Sequence, residues 1–185
     1  MRCLALSLLL IASPAAADRC AVWSVGPSAA GRATGASLGE ASSSEQLTWL
    51  GGLRLGVAFE DAPPAMPIPG HVAIDARLVP ELVTGFLVDR AHAEGYVGAG
   101  LRAELQLAAQ KTVALRTAVY VAARAIAIGG RRDSGVELVF GEYVAGSAGR
   151  TRFGWEGGAM IRPRAQDDAG SRELDAVVSL YLAWQ

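Results

Sequence analysis

The side chains best suited to hydrolytic or acyl-transfer chemistry are two histidines, one serine and one glutamate. That chemistry needs a nucleophile beside an oriented base. His92 lies two residues before Glu94, and Ser134 could supply a hydroxyl from another connection. No spacing ties these residues together, and no histidine and serine stand one residue apart. We therefore expect His92 to be an exposed loop residue and the chain to have no catalytic site. A lipid-modifying enzyme stays open as an alternative.

Metal and nucleotide sites have no support in the sequence. A metal site needs several ligands that come close together, whereas Cys20, His71 and His92 are far apart in the chain. A phosphate-binding loop would be glycine-rich, would follow a strand and would open a helix. No segment has that context, so we expect no cofactor and no metal.

Residues 1–17 have the pattern of a cleaved secretory signal. Arg2 supplies the positive end, a short apolar run follows, and small residues precede Asp18. The apolar run is too short for a membrane-spanning helix.

Cleavage removes Arg2, which leaves 16 Lys+Arg against 18 Asp+Glu and a net charge of 16 − 18 = −2. No basic patch is visible, so nucleic-acid binding is not expected. Residues 18–185 then form a single domain.

Cys20 stays alone after that cleavage, so no intramolecular disulfide can form. The residues just before it include the charged Asp18 and Arg19. A lipidated cysteine usually follows small apolar residues, so we expect a free thiol near the start of the first strand.

Residues 94–128 contain the clearest structural pattern of the chain. Apolar residues from Val97 to Leu107 alternate with polar residues and glycines, and after a turn at 109–111 the alternation resumes at Val113. Period two is typical of a β-strand, and both runs exceed the ~5–6 residues usual in soluble sheets. A tilted strand needs about 9–11 residues to cross a bilayer. The stretch therefore predicts a transmembrane β-hairpin.

Further alternating segments bring the prediction to about eight strands. Pro80 interrupts the third strand and predicts a bulge or bend there, because proline has no N–H to donate to the ladder. The segments outside the hairpin are residues 20–30, 46–59, 70–90, 135–146, 150–163 and 173–184.

The connections between these strands alternate in character. Polar loops follow the first, fifth and seventh strands, at residues 31–45, 129–134 and 164–171. Turns follow the second, fourth and sixth strands, and the latter two are very short. Membrane barrels show this asymmetry, with short periplasmic turns and longer outer loops. An even strand count would place both termini on the periplasmic side.

The two faces of the predicted strands differ sharply in chemistry. One carries charges of both signs and glycine, and the other carries Leu, Val, Ala and Phe with almost no charge. An eight-stranded barrel is just wide enough to be filled by side chains, so Arg–carboxylate pairs can fill it. A soluble barrel usually carries lysines outside, but the single lysine, Lys111, lies in a predicted turn. The expected interior network is Arg54, Asp75, Arg77, Arg102, Glu104, Arg116, Arg124, Glu137, Arg152, Glu156, Arg162, Glu173 and Asp175.

Aromatic residues are expected at both edges of the apolar exterior, as in membrane barrels. The expected periplasmic set is Trp23, Phe59, Phe153 and Trp184, the outer set is Trp49 and Phe86, and Trp155 is a further interface aromatic.

With these features the chain resembles the small eight-stranded outer-membrane β-barrel proteins of Gram-negative bacteria over about residues 20–185. Its last strand is similar to the C-terminal signal of that family, which ends in an aromatic residue after alternating apolar residues. Leu180, Leu182 and Trp184 keep the alternation, but Gln185 occupies the last position. The resemblance implies an all-β, closed antiparallel up-and-down transmembrane barrel. It also implies a monomer in the cell outer membrane, with outer-membrane lipid and the barrel assembly machinery as partners.

Three functions are compatible with such a chain. The preferred one is a barrel with a structural, adhesive or interaction role through its outer loops and with an interior network of mutually satisfied charges. A more specific version of this function is a narrow ion path gated by that network. A wide pore is not expected. A soluble secreted or periplasmic barrel would instead bind an apolar ligand, which requires the apolar face inside. The lipid-modifying enzyme would use His92, while His71 is expected as an inward polar filler near the periplasmic rim.

Overall fold

A computed structural model describes the chain in eight segments and one isolated residue. Within them, eight strands form a closed barrel in which each strand pairs antiparallel with its neighbours in sequence and β8 pairs with β1. This confirms the predicted all-β up-and-down barrel of eight strands. No helix within the described segments is long and apolar enough to cross a membrane. The described residues are 20–34, 46–61, 67, 71–88, 93–110, 114–129, 134–146, 150–163 and 172–185.

Each strand is much longer than those of an average soluble sheet. The bounds are β1 (Cys20–Thr34), β2 (Gln46–Glu60), β3 (Val72–Val88), β4 (Ala93–Gln110), β5 (Ala114–Ile128), β6 (Ser134–Gly146), β7 (Thr151–Pro163) and β8 (Arg172–Trp184).

The strands are staggered around the barrel, and the stagger fixes their tilt. A path from Trp23 across each successive pair of strands returns to β1 at Ala33, a stagger of 33 − 23 = 10 residues. With a rise of about 3.3 Å per residue and about 4.7 Å between strands, this stagger tilts the strands by about 41°. Each strand-to-strand step then climbs about 3 Å along the barrel axis, and each residue along a strand covers about 2.5 Å of it. The path passes through Val57, Leu82, Ala99, Ala125, Val136, Ile161 and Leu174.

The first strand is longer than the sequence pattern suggested. β1 continues to Thr34, so the predicted start of a loop at residue 31 is wrong. Gly31 pairs with Trp49 on β2 and with Ala176 on β8. Ladder pairing on both sides overrides the weak strand preference of this Gly- and Ala-rich segment. As a consequence, Arg32 belongs to the barrel wall.

Three other strand ends differ slightly from the prediction for the same reason. β4 begins at Ala93 and runs to Gln110, and β6 begins at Ser134. Gln110 pairs with Ala114 and Ser134 with Ala127, so ladder pairing extends the strands past their predicted ends.

The third strand is unbroken, so the prediction that Pro80 interrupts it is wrong. Pairing with β4 passes through Pro80 and Leu101 in continuous register, whereas pairing with β2 ends at Ala58 and Glu81. Proline is tolerated where the ladder on one side has ended, because no donor is needed there. Since the alternation is not shifted, Glu81 lies on the interior face.

The apolar face points outward and the charged face inward. β6 shows the alternation at every position, and its buried side chains include Glu137 and Tyr143 while Val136 and Phe140 are exposed. The soluble alternative needed the apolar face inside the barrel, and the structure contradicts that arrangement. The interior is instead built from the polar positions of all eight strands.

Glycine spacing lets neighbouring strands approach each other. A Cβ on Gly52 would collide with the backbone carbonyl of Phe86 on β3, whereas a Cβ on the adjacent Gly51 would meet nothing within 4 Å. Gly52 lies on the interior face and Gly51 on the exterior face, so only the former is needed for close packing.

Candidate functional site

The charged side chains inside the barrel form two connected clusters. We define the end of the barrel that holds Cys20 and Trp184 as the terminal end and the opposite end as the far end. The central cluster comprises Arg54, Glu81, Arg124, Glu137 and Glu156, and the terminal cluster comprises Glu60, Arg77, Arg102, Glu104 and Arg152.

Arg124 organises the central cluster. Its guanidinium contacts Glu81 at 2.6 Å, Glu137 at 2.9 Å and Glu156 at 2.8 Å. Arg54 completes the arrangement, with Glu156 at 2.7 Å and Glu137 at 3.0 Å. Two arginines therefore hold three glutamates, all of which lie on different strands from the arginine that binds them. The cluster ties β2, β3, β5, β6 and β7 together across the barrel.

Glu60 and Glu104 organise the terminal cluster. Glu60 Oε1 accepts hydrogen bonds from Arg102 and Arg152, each at 2.7 Å. Glu104 Oε1 accepts from Arg77 Nη2 at 2.7 Å, and Arg102 lies 3.2 Å from Glu104 Oε2. Here three arginines hold two glutamates, and Arg102 approaches Glu81 of the central cluster at 3.9 Å.

The two clusters together are electrically balanced, with five arginines against five glutamates. A buried charge is tolerated only when it is paired and hydrogen-bonded. The central cluster has one surplus negative charge and the terminal cluster one surplus positive charge, so their proximity neutralises the pair. The geometry is that of a filled interior whose charges satisfy one another.

Tyrosines fill the space between the guanidinium groups. Tyr143 donates a hydrogen bond to Glu104 at 2.5 Å and accepts hydrogen bonds from Arg77 and Gln106, each at 3.2 Å. Arg152 stacks over the Tyr143 ring at 4.8 Å, and Arg102 over the Tyr120 ring at 5.0 Å. Aromatic faces attract cations, so the tyrosines stabilise arginines that the carboxylates alone do not surround.

A cavity of about 40 Å³ lies between the two clusters. Side chains of both clusters line it, among them Arg54, Glu81, Glu60 and Arg102. This volume suits about three water molecules, whereas a site for a drug-sized molecule takes about 300–1,000 Å³. The cavity is therefore too small and too polar for an apolar ligand.

An apolar layer closes the barrel between the central cluster and the far end. We call it the apolar plug, and within the described residues it is well packed, with Ile126 only 1% exposed. Above it, Arg32 bridges Glu94 at 2.7 Å and Asp175 at 3.2 Å, which forms a far-end triad. The plug consists of Ala30, Leu50, Val83, Leu87, Tyr96, Ile126, Ile128 and Met160.

Most of the predicted network residues meet in these arrangements, but four do not. Arg116 is buried toward the terminal end, at 4% exposure, outside both clusters as we define them. Asp75 is half-buried on β3 beyond the end of β2 and belongs to neither cluster. The side chains of Arg162 and Glu173 lie outside the described residues.

Sequence reasoning missed several members of the interior. Glu81 was missed because it directly follows Pro80, where β3 was expected to be interrupted, and Arg32 because its segment was expected to be a loop. Glu60 lies at the last position of β2, one residue past the predicted end. Continuing the period-two alternation through each of these points would have found all three. The alternation also places the interior tyrosines on the polar face, but the sequence does not indicate their hydrogen-bond partners; these tyrosines are Tyr96, Tyr120, Tyr143 and Tyr181.

The side chains considered for catalysis do not form a site within the described residues. His71 is exposed just before β3, so it does not fill the barrel interior as expected. Glu94 is held in the far-end triad, and Ser134 is exposed at the start of β6. His92 lies outside the described residues. No group of three His, Cys, Asp or Glu side chains in the described part of the chain is arranged to hold a metal ion. Cys20 is a half-buried free thiol.

The predicted interface aromatics lie toward the two ends of the outer wall. Trp23 pairs with Trp184 across β1 and β8, and Phe153 lies nearby on β7. Trp49 pairs with Gly31, which is 31 − 23 = 8 residues along β1 from Trp23. The tilt places Trp49 about 23 Å above Trp23 along the barrel axis. The rings of Trp23, Trp49, Phe86, Phe153 and Trp184 are exposed, and those of Phe59 and Trp155 are half-exposed.

Comparison with protein-family models and with curated protein sequences finds no match to this chain. The geometry of the interior and of the outer wall therefore carries the functional argument.

Proposed function

We propose that this chain is a monomeric β-barrel of a bacterial outer membrane, exported by the signal in residues 1–17 and inserted by the assembly machinery of that membrane. Its role is structural, adhesive or interactive, through the connections at the far end. The observation that carries the proposal is the chemistry of the outer wall. The connections 35–45 and 164–171 join strands at that end and are the longest ones there.

The outer wall has the composition of a surface in contact with lipid. Among the outward strand positions whose side chains are described, Glu142 is the only charged residue. The hydroxyls of Thr84 and Thr117 donate to the backbone carbonyls of Tyr96 and Tyr143, at 2.9 and 3.1 Å. A soluble monomer rarely exposes an apolar patch above about 300–600 Å². Here the exposed apolar side chains encircle the barrel, a pattern that favours a bilayer over water.

The dimensions of the apolar wall match a bilayer. The exposed rings of Trp23 and Trp49 are separated by about 23 Å along the axis, and membrane barrels have an apolar band about 25 Å tall between two aromatic girdles. In this orientation the terminal end faces the periplasm and the far end faces outward. The strands of 13 to 18 residues are long enough to cross such a band with their tilt.

The interior favours a sealed barrel rather than an ion-conducting channel. An ion that entered at the terminal end would meet the charged clusters and then the apolar plug, in which the hydroxyl of Tyr96 is the only side-chain polar group among the plug residues named above and cannot replace a hydration shell. The far-end triad lies beyond the plug. This arrangement favours a structural scaffold over the narrow ion path considered from sequence.

A soluble barrel and a lipid-modifying enzyme are less well supported. The soluble binder needs an apolar interior, and the interior holds ten paired charges instead. The enzyme needs a nucleophile beside a base. Glu94, the acid two residues after His92 in the sequence, is instead paired with Arg32.

Cell fractionation, followed by electrophoresis of unheated and boiled samples, tests the proposal. We expect the protein in the outer-membrane fraction, extractable only with detergent, with a faster unheated band because the closed barrel stays compact. Planar-bilayer recording of the same preparation should show no steady current steps. A protein that remains in the periplasmic extract without detergent would refute the membrane assignment, and regular current steps would refute the sealed interior.

A further inference from the structure

One charged side chain lies on an outer wall that is otherwise uncharged in the described strands. Glu142 is exposed on β6, between Phe140 and Val144 on the same face. A carboxylate on the lipid face is unfavourable at the bilayer midplane and becomes tolerable near the interface. An ionisable residue in such a position is a candidate functional site, so its surroundings and its depth decide what it can bind.

Glu142 lies in a small arrangement of aromatic rings. Its Oε1 accepts a hydrogen bond from Trp155 Nε1 at 2.8 Å across the β6–β7 ladder. The ring of Phe140 meets that of Trp155 edge to face, with centroids 5.9 Å apart. Gly157 lies opposite Phe140, and a Cβ placed there would be 3.6 Å from the Trp155 ring. The indole of Trp155 thus lies along the wall, close to Gly157 and hydrogen-bonded to the carboxylate.

The depth of this arrangement follows from the stagger of the strands. Val136 lies on the hydrogen-bonded path that starts at Trp23, five strand steps away, and so about 16 Å higher along the axis. Glu142 lies six residues farther down β6, which brings it back about 15 Å to nearly the level of Trp23. The carboxylate is thus at the terminal-end girdle, where lipid headgroups meet the acyl chains.

We propose that Glu142, Trp155 and Phe140 bind the primary ammonium group of a phospholipid headgroup in the leaflet at the terminal end. This rests on the proposed membrane location. A carboxylate gives a charge-assisted hydrogen bond to an ammonium group, and aromatic faces attract the same cation. Oε1 is oriented by the indole, which leaves Oε2 to accept from the ligand. Val119 and Leu180, which flank the pair on β5 and β8, offer apolar surface for the acyl chains.

Native mass spectrometry of the detergent-purified protein tests the site. The protein is mixed with equal amounts of phosphatidylethanolamine and phosphatidylglycerol of the same acyl chains, and the ratio of bound lipids is measured. We expect wild type to prefer phosphatidylethanolamine by about fivefold, the ratio given by one partly exposed charge pair. Glu142→Gln should bring the ratio to about one, because the amide oxygen still accepts from Trp155 but carries no charge. Trp184→Phe, a girdle change elsewhere, should leave the preference unchanged.

Further measurements distinguish a lipid from a soluble amine as the source of the ammonium group. They also distinguish a failure of this proposal from a failure of the membrane proposal. Free phosphoethanolamine should displace little bound lipid, because it lacks acyl chains; efficient displacement would show a site for a soluble amine and overturn the lipid proposal. Equal binding of both lipids by wild type, or a preference that survives Glu142→Gln, would also overturn it. If one of these results is obtained while the protein still inserts into vesicles, the lipid-binding proposal fails and the membrane proposal stands. A protein that stays in solution without detergent and inserts into vesicles of neither lipid would contradict both proposals.

Discussion

Replacement of Arg124 by methionine is the sharpest test of how the barrel interior is held together. Arg124 is 2% exposed and contacts three carboxylates on three other strands. Methionine has a similar length and no charge, so the substitution removes the ion pairs while it keeps most of the packing volume.

The size of the effect follows from what remains after the change. Arg54 still contacts Glu137 and Glu156, but Glu81 keeps only a distant approach to Arg102 at 3.9 Å. Removing one partner of a buried ion pair costs about 3–5 kcal/mol, because the other charge is left buried. We expect Arg124→Met to lower the free energy of unfolding by about that amount. Adding Glu81→Gln should restore part of the loss, since the orphaned charge disappears.

Urea titration of the refolded protein in lipid vesicles measures these differences, with tryptophan fluorescence and unheated gel mobility as two independent readouts of the barrel. Arg150→Met is the matched control, because Arg150 is exposed just before β7 and a surface substitution of this kind changes stability by about 0.5 kcal/mol or less. The reasoning is refuted if Arg124→Met costs no more than Arg150→Met. It is also refuted if the double variant loses the full sum of the two single changes, since coupled charges are not additive.

Three other changes test separate parts of the structure. Gly52→Ala should destabilise the barrel by about 1–3 kcal/mol, because its Cβ collides with a neighbouring backbone, while Gly51→Ala should be nearly neutral; equal urea midpoints would contradict the packing of β2 on β3. Leu138→Arg, near mid-height on the outer wall, should lower the free energy of unfolding in a bilayer by about 2–4 kcal/mol. Val72→Arg, beyond the terminal-end girdle, should lower it by only about 0–1 kcal/mol. Equal losses in vesicle unfolding experiments would contradict the membrane placement. Tyr143→Phe removes a hydroxyl shared by three buried polar groups and should cost about 1–3 kcal/mol, and a chemical-denaturation midpoint equal to that of wild type would show that the hydroxyl is dispensable.

Much of the fold was predictable because side-chain alternation is a local property. The period-two pattern of residues 94–128 required two long strands, whatever their partners. The charges on one face and the aliphatic residues on the other also indicated which side would be buried. Arg54, Arg124 and Glu137 were therefore identified as interior residues before any pairing was known.

The errors arose where local preference and ladder pairing disagree. Pro80 looked like an interruption, but the ladder to β2 ends beside it while the ladder to β4 continues. Gly31 and its neighbours looked like a loop, but strands on both sides pair with them. In each case the deciding contact comes from a residue distant in sequence, and single-strand patterns carry no information about it.

The sequence by itself determined an alternating all-β chain with one charged and one apolar face, because each residue's face depends only on its position along its own strand. The tertiary structure alone decided which charges meet. Closure with a stagger of 33 − 23 = 10 residues brings Arg124 to Glu81 and Glu60 to Arg152, pairs separated by 43 and 92 positions in the chain. It also stacks the apolar plug above the charged clusters and brings Glu142 to the level of the Trp23 ring. Those juxtapositions depend on the register of all eight strands at once, and the register is a property of the closed barrel.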